Sequence, residues 1–124
     1  MNQAQERVED RARGLWTDVR SIEAQEQDVV RLSGNVDFER SLEIRKILLE
    51  TVAGKRNVFV DLSKVTYIDS SGIACLVEAL QIARSHGADL GLLSVSTQAM
   101  RVLELARLDM VFPIMNVHQV ERVH

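Results

Sequence analysis

The stretch Val65-Thr66-Tyr67-Ile68-Asp69-Ser70-Ser71-Gly72 sets one acid and two hydroxyls between a strand-like run and a helix-like run. Two chemistries suit that pattern. In the first, Asp69, Ser70 or Ser71 accepts from the orphan N–H groups of a starting helix while Gly72 permits a tight backbone, and the segment is a cap. In the second, a hydroxyl beside those N–H groups and the positive end of the helix dipole carries a phosphate. A phosphate on Ser70 adds about −1.5 to −2 charges and three acceptor oxygens, favoured by the helix end and repelled by Asp69. These effects oppose each other within the domain, so the charge acts mainly on a partner's surface, blocking a contact that the bare hydroxyl permits. Residue types alone leave both open.

Other site chemistries lack their residues. The six glycines, at 14, 34, 54, 72, 87 and 91, form neither GxxxxGK[ST] nor GxGxxG, so no standard phosphate-cradling loop is present. A serine hydrolase elbow needs Gly two residues before the nucleophile and a base aimed at it. Here Ile68 stands in that place before Ser70, and the histidines fall at a helix end (His86) and in the tail (His118, His124). The single cysteine, Cys75, excludes an internal disulfide and has no zinc-ligand spacing around it; its apolar helical setting predicts a buried small hydrophobe. The expectation is a protein that is not an enzyme and uses no metal or cofactor.

A turn of this kind needs a strand to deliver it and a helix to receive it. Asn57–Ser63 is apolar and β-branched over strand length, as in a strand covered on both faces, and Val65–Asp69 adds a short extended piece. The run Ser71–Ser85 is an amphipathic helix ended by His86-Gly87, with Gly87 left-handed. Upstream, Asp18–Ala24 is a weak strand signal, Gln25–Asp28 a turn and Val29–Val36 a stronger strand, together a hairpin. Asp37 stands where an N-cap belongs, and Phe38, Leu42, Ile44, Ile47, Leu48 and Val52 recur at helical spacing until Gly54. Downstream come a buried strand over Leu90–Val95, a helix capped at Thr97, and an edge strand Val111–Met115 marked by Pro113. Val117, Val120 and Val123 allow a turn of helix in the tail, while Met1–Gly14 is a frayed helix or a mobile extension.

The predicted fold is α/β, one small domain in the order ββαβαβαβ with a mainly parallel sheet and helices packed on it. The expected division is a polar extension over 1–17, the domain over 18–117 and a tail over 118–124. With 124 residues, 46% hydrophobic and only 4% aromatic, the core is built from Leu, Val, Ile and Ala. A net charge of −3 with no basic stripe argues against nucleic acid. The polar amino terminus and the lack of a ~20-residue apolar run predict a cytoplasmic chain without membrane insertion.

Element order and the Asp-Ser-Ser-Gly motif together make the chain resemble a STAS domain of the anti-sigma factor antagonist family over about Asp18–Met115. The residues that carry the likeness are RLSGNVDF (Arg31–Phe38), VFVDLSKVTYIDSSGI (Val58–Ile73), RSHGADLGLLSVS (Arg84–Ser96) and LELARLDMVFPI (Leu103–Ile114). The resemblance implies that Ser70 is phosphorylated by an ATP-dependent anti-sigma factor serine kinase, that the unphosphorylated form binds this kinase and releases a sigma factor, and that a serine phosphatase reverses the mark. It also implies a partner-binding surface of Asp37, Asp69, Ser70, Ser71 and Gly72, where Gly34-Asn35-Val36-Asp37 matches the family's Gly-x-x-Asp and Asn35 replaces a common Glu or Arg. The alternative is a STAS-type regulatory subunit of a membrane transporter for lipids or anions. A scaffold role in a larger sensory assembly is a weaker third.

Overall fold

The computed structural model describes residues 5–10, 15–22 and 27–115, with side chains from residue 28 onward. The elements are β1 (Gln5–Asp10), β2 (Leu15–Ile22), β3 (Gln27–Val36), a 3₁₀ turn (Phe38–Arg40), α1 (Ser41–Val52), β4 (Asn57–Ile68), α2 (Ser70–Ser85), β5 (Leu90–Leu93), α3 (Thr97–Leu105) and β6 (Ile114–Met115). They form one six-stranded sheet in sequential order. The first two pairings are antiparallel and the last three parallel, because only the connections after β3 carry helices long enough to return the chain to the same end. From β2 onward the order is the expected ββαβαβαβ.

Alternation along the strands makes the core. Val30, Leu32, Val58, Val60, Leu62, Leu90 and Leu92 pack with Ile44, Leu48 and Val52 of α1, Leu76, Ala79, Leu80 and Ala83 of α2, and Ala99 and Leu103 of α3. Val29, Phe59, Leu93 and Met115 form a smaller cluster from the other strand phase. Arg31 and Asp61, register partners on β3 and β4, join that phase with an ion pair at 3.2 Å.

Several boundaries differ from the sequence expectation. Residues 5–10, expected as a frayed helix or mobile extension, pair antiparallel with β2; an edge strand draws its stability from backbone pairing and needs no apolar stripe. β4 runs unbroken for 12 residues, so the piece before Asp69 belongs to the central strand. The helix after Asp37 opens with a 3₁₀ turn, and its stop is Lys55 at φ 63°, one residue beyond Gly54. Ser96, not Thr97, caps α3 by accepting from the Ala99 N–H at 3.2 Å. β5 ends at Leu93, where Ser94 turns left-handed at φ 50°, and β6 is confined to two residues on the sheet edge. Gly87 is left-handed as expected, at φ 80°. The helical turn expected around Val117–Val123 lies outside the described residues.

Two irregularities position the site. β3 follows β4 up to the pair Val36 and Ile68, through register shifts beside Ser33 and Gly34, whereas β5 leaves β4 at Asp61 and Leu93. The upper half of β4 therefore projects about 20 Å beyond β5, at roughly 3.3 Å per residue, with β3 its strand neighbour there. Each of the two strands is followed directly by an aspartate, Asp37 or Asp69, that caps a helical segment.

Candidate functional site

At the carboxyl ends of β3 and β4 the chain enters two helices side by side. Asp69 is extended (φ −114°, ψ −172°), and its backbone N–H donates to the Val36 carbonyl at 3.2 Å, which fixes where α2 begins. Its Oδ1 accepts from the Ser71 and Gly72 N–H groups at 2.9 and 3.2 Å. Its Oδ2 accepts from the Phe38 N–H at 3.2 Å, a bond to the other helical entry. Of the three residues able to cap, Asp69 does so, satisfying orphan donors at two segment starts.

That assignment frees the serine. Ser70 is the first residue of α2 and is exposed, and among the described residues its hydroxyl has no hydrogen-bond partner. It sits at the positive end of a 16-residue helix. Ser71 is half-buried and Gly72 buried. A Cβ on Gly72 would lie 2.4 Å from the Val36 carbonyl oxygen and 2.9 Å from Ile68 Cγ1, so glycine is needed here for close approach of helix to sheet.

Asp37 is also extended and caps the 3₁₀ turn, accepting from the Arg40 N–H at 3.3 Å. Arg40, only 7% exposed, holds Nη1 3.6 Å from the same carboxylate, and its buried Nε has no partner among the described residues. Asp37, Asp69, Ser70, Ser71 and Gly72 thus share one end of the molecule. Asn35 is exposed beside them and accepts from the Thr66 hydroxyl at 3.1 Å.

Three neighbours escaped the sequence argument. Phe38 and Leu42 recur at helical spacing with the apolar residues of α1, yet they are 75% and 78% exposed; Tyr67 is also exposed. At 100° per residue Leu42 stands roughly 160° round α1 from Ile44, a signal in the sequence that places it off the face of Ile44. Phe38 lies in the 3₁₀ turn, where α-helical spacing does not apply.

Below the entries, α1 and α2 are joined by a bidentate pair: Arg45 donates to Glu78 at 2.7 and 2.8 Å. That bond holds the Glu78 carboxyl below its ordinary range and raises the Arg45 guanidinium. Cys75 is 5% exposed, as expected of a small hydrophobe, and its Sγ lies 3.5 Å from the Ser41 carbonyl oxygen. Burial pushes its thiol up, with the Glu78 charge adding to the effect. Among the described residues no group of His, Cys, Asp or Glu is arranged to hold a metal ion, and no helix is long and apolar enough to cross a membrane.

The arrangement leaves one hydroxyl, that of Ser70, exposed and unengaged among the described residues, beside a carboxylate that caps both helical entries. Known proteins share this framework. The anti-sigma-B factor antagonist of Listeria monocytogenes is 28% identical over 103 residues, covering 78% of this chain and 90% of its own. A STAS domain protein from Planctomyces limnophilus, described as an anti-sigma-factor antagonist, superposes with TM-score 0.75 at 22% identity, over 85% of this chain and 93% of its own. The anti-sigma factor antagonist SpoIIAA in its unphosphorylated form gives TM-score 0.70 at 18% identity, over 86% and 95%; the Bacillus protein has also been solved in a phosphorylated form, with TM-score 0.66. The family profile described as "Mlab, STAS domain" matches residues 20–115, from the last residues of β2 to the end of β6, and the chain belongs to the STAS domain family.

Proposed function

We propose that this chain is an anti-sigma factor antagonist that works by partner switching, without catalysis of its own. The unphosphorylated form binds an anti-sigma factor serine kinase and so releases a sigma factor; phosphorylation of Ser70 ends the contact, and a serine phosphatase restores it. One observation carries this reading. The Ser70 hydroxyl is exposed and unbonded among the described residues, while the neighbouring Asp69 does all the capping. A hydroxyl that served the fold would be engaged, and this one is held ready for a partner. The docking face comprises Asp37, Asp69, Ser70, Ser71 and Gly72. The curated relative named as an anti-sigma-B factor antagonist supports the general role.

The test is phosphate transfer and binding with the anti-sigma factor kinase of the host. Incubation with that kinase and ATP should add one phosphate at Ser70, seen by mass spectrometry, and Ser70→Ala should abolish it. Ser70→Asp should lose kinase binding while melting within a degree or two of the wild type, because no bond of the fold is broken. Phosphate mapped to another residue, or kinase binding unimpaired in Ser70→Asp, overturns the switch; co-purification with transporter subunits in place of the kinase favours the transport role.

A further inference from the structure

We propose that residues 116–124 fold back over the side of the sheet opposite the helices, and that Val117, Val120 and Val123 rest there on Phe59 and Leu93. This contact is independent of the partner-switching reading.

The starting point is burial without a helix to cause it. α1, α2 and α3 all pack on the strand phase of Val30, Val60 and Leu92, so they share one side of the sheet. The opposite phase carries Val29, Phe59, Leu93 and Met115, which pack with one another and, among the described residues, with no apolar side chain of a helix. Leu93 is nonetheless only 1% exposed and Val29 5%. Side chains on an open sheet face stand roughly perpendicular to it, so strand neighbours flank them and leave their tips in water. Phe59 supplies one wall: a Cβ on Gly91, its register partner on β5, would lie 2.8 Å from the Phe59 Cε1, so the ring leans over the neighbouring strand. Flanking of this kind does not close the tip of Leu93, and a further segment must lie over it.

Chain length selects that segment. Residues 1–4 precede β1, four strand spacings or about 19 Å from β5, and fully extended they span about 14 Å. The short connections 11–14 and 23–26 are anchored at both ends on β1, β2 or β3 and cannot reach β5 and return. Residues 116–124 start from Met115, which belongs to the cluster and whose carbonyl accepts from the Ser94 N–H beside Leu93 at 2.9 Å. From β6 back to Val29 on β3 the face measures three strand spacings, about 14 Å, and a helix of this segment's length is about 13 Å long. Positions 117, 120 and 123 fall within about 120° of one another at helical spacing, whereas a strand would send Val120 to the other side. The ionic groups beside the cluster, Arg31 and Asp61, pair with each other at 3.2 Å, so an apolar occupant leaves neither in need of a counter-charge.

The experiment is NMR on the full chain, with nuclear Overhauser contacts expected from the methyls of Val117, Val120 and Val123 to the Phe59 ring and the Leu93 methyls. A mixture of labelled and unlabelled chains separates contacts within one chain from contacts between copies. Thermal melts of three variants give the second readout. Val120→Asp should lower the melting temperature by about 5–8 °C, the loss of one buried valine in a domain of this size. Val120→Ile should melt close to the wild type. His118→Asp places the same charge about 160° round from the middle of the valine stripe and should also melt like the wild type. Leu93 contacts that come from a second copy overturn the proposal in favour of a dimer, and the absence of any contact from 116–124 overturns it outright. A Val120→Asp melt equal to the wild type, or an equal loss in His118→Asp, overturns the valine stripe.

Discussion

Asp69 Oδ2 and the Phe38 N–H meet at 3.2 Å across 31 residues of sequence, so the carboxylate that starts α2 also holds the turn leading into α1. The two helix entries are one hydrogen-bonded unit, and the motif aspartate is its hub.

Asp69→Ala should therefore cost about 2 kcal/mol, the upper part of the range for losing a single cap. Amide exchange should accelerate together at Phe38, Ser71 and Gly72. A Phe38 amide that stays protected while the other two open would refute the bridge between the entries.

Gly72, buried in the first turn of α2, and Gly87, exposed behind its end, should respond differently to alanine. Gly72→Ala drives a Cβ against backbone at 2.4 Å and should lower stability by about 1–3 kcal/mol in urea titration. Gly87 has open space around it but φ 80°, so Gly87→Ala should cost about 1 kcal/mol, through conformation alone. Equal midpoints for Gly72→Ala and the wild type would mean that α2 retreats freely from β3.

Lys55 holds a left-handed backbone at φ 63° immediately after Gly54. Lys55→Gly should raise stability by a few tenths to about 1 kcal/mol, since the residue behind the helix is relieved of its Cβ penalty. A drop in the denaturation midpoint would contradict this.

Cys75 should resist alkylation at pH 8 until the protein is unfolded, because burial raises its thiol above the ordinary range and keeps the thiolate scarce. The linkage sign follows: the raised folded pKa contributes stability that is intact below the unfolded thiol's pKa and is lost as pH rises through the folded one. Cys75→Ala should flatten that part of an alkaline stability profile. Rapid labelling of native protein would show the α1–α2 seam to be open.

Asp-Ser-Ser-Gly could be recognised as a helix entry from residue types, because each carries a distinct backbone use. Which of Asp69, Ser70 and Ser71 caps was not legible, since all three can accept and the choice is made by the Asp69 N–H reaching Val36, a contact between strands. The exposure of Phe38 and Leu42 was not legible from helical spacing, which they share with the buried residues of α1. The 3₁₀ start shifts one of them, and the other lies opposite Ile44. β1 had no apolar signal to read: Gln5–Asp10 contains a single Val, and its pairing partner is set by the hairpin beside it. The parallel core was legible because Val, Ile and Leu runs bounded by caps leave few other arrangements.

The unequal lengths of β4 and β5 divide labour along one strand. Val58–Asp61, paired on both sides, is answerable to the sheet; Leu62–Ile68, with β3 as its strand neighbour and the Ser96 N–H bonded to the Leu62 carbonyl, carries the helix entries outward. Substitutions at its exposed positions, Ser63, Lys64, Thr66 and Tyr67, need not be reconciled with β5 or β6, whereas Leu62, Val65 and Ile68 tie the same segment to the core.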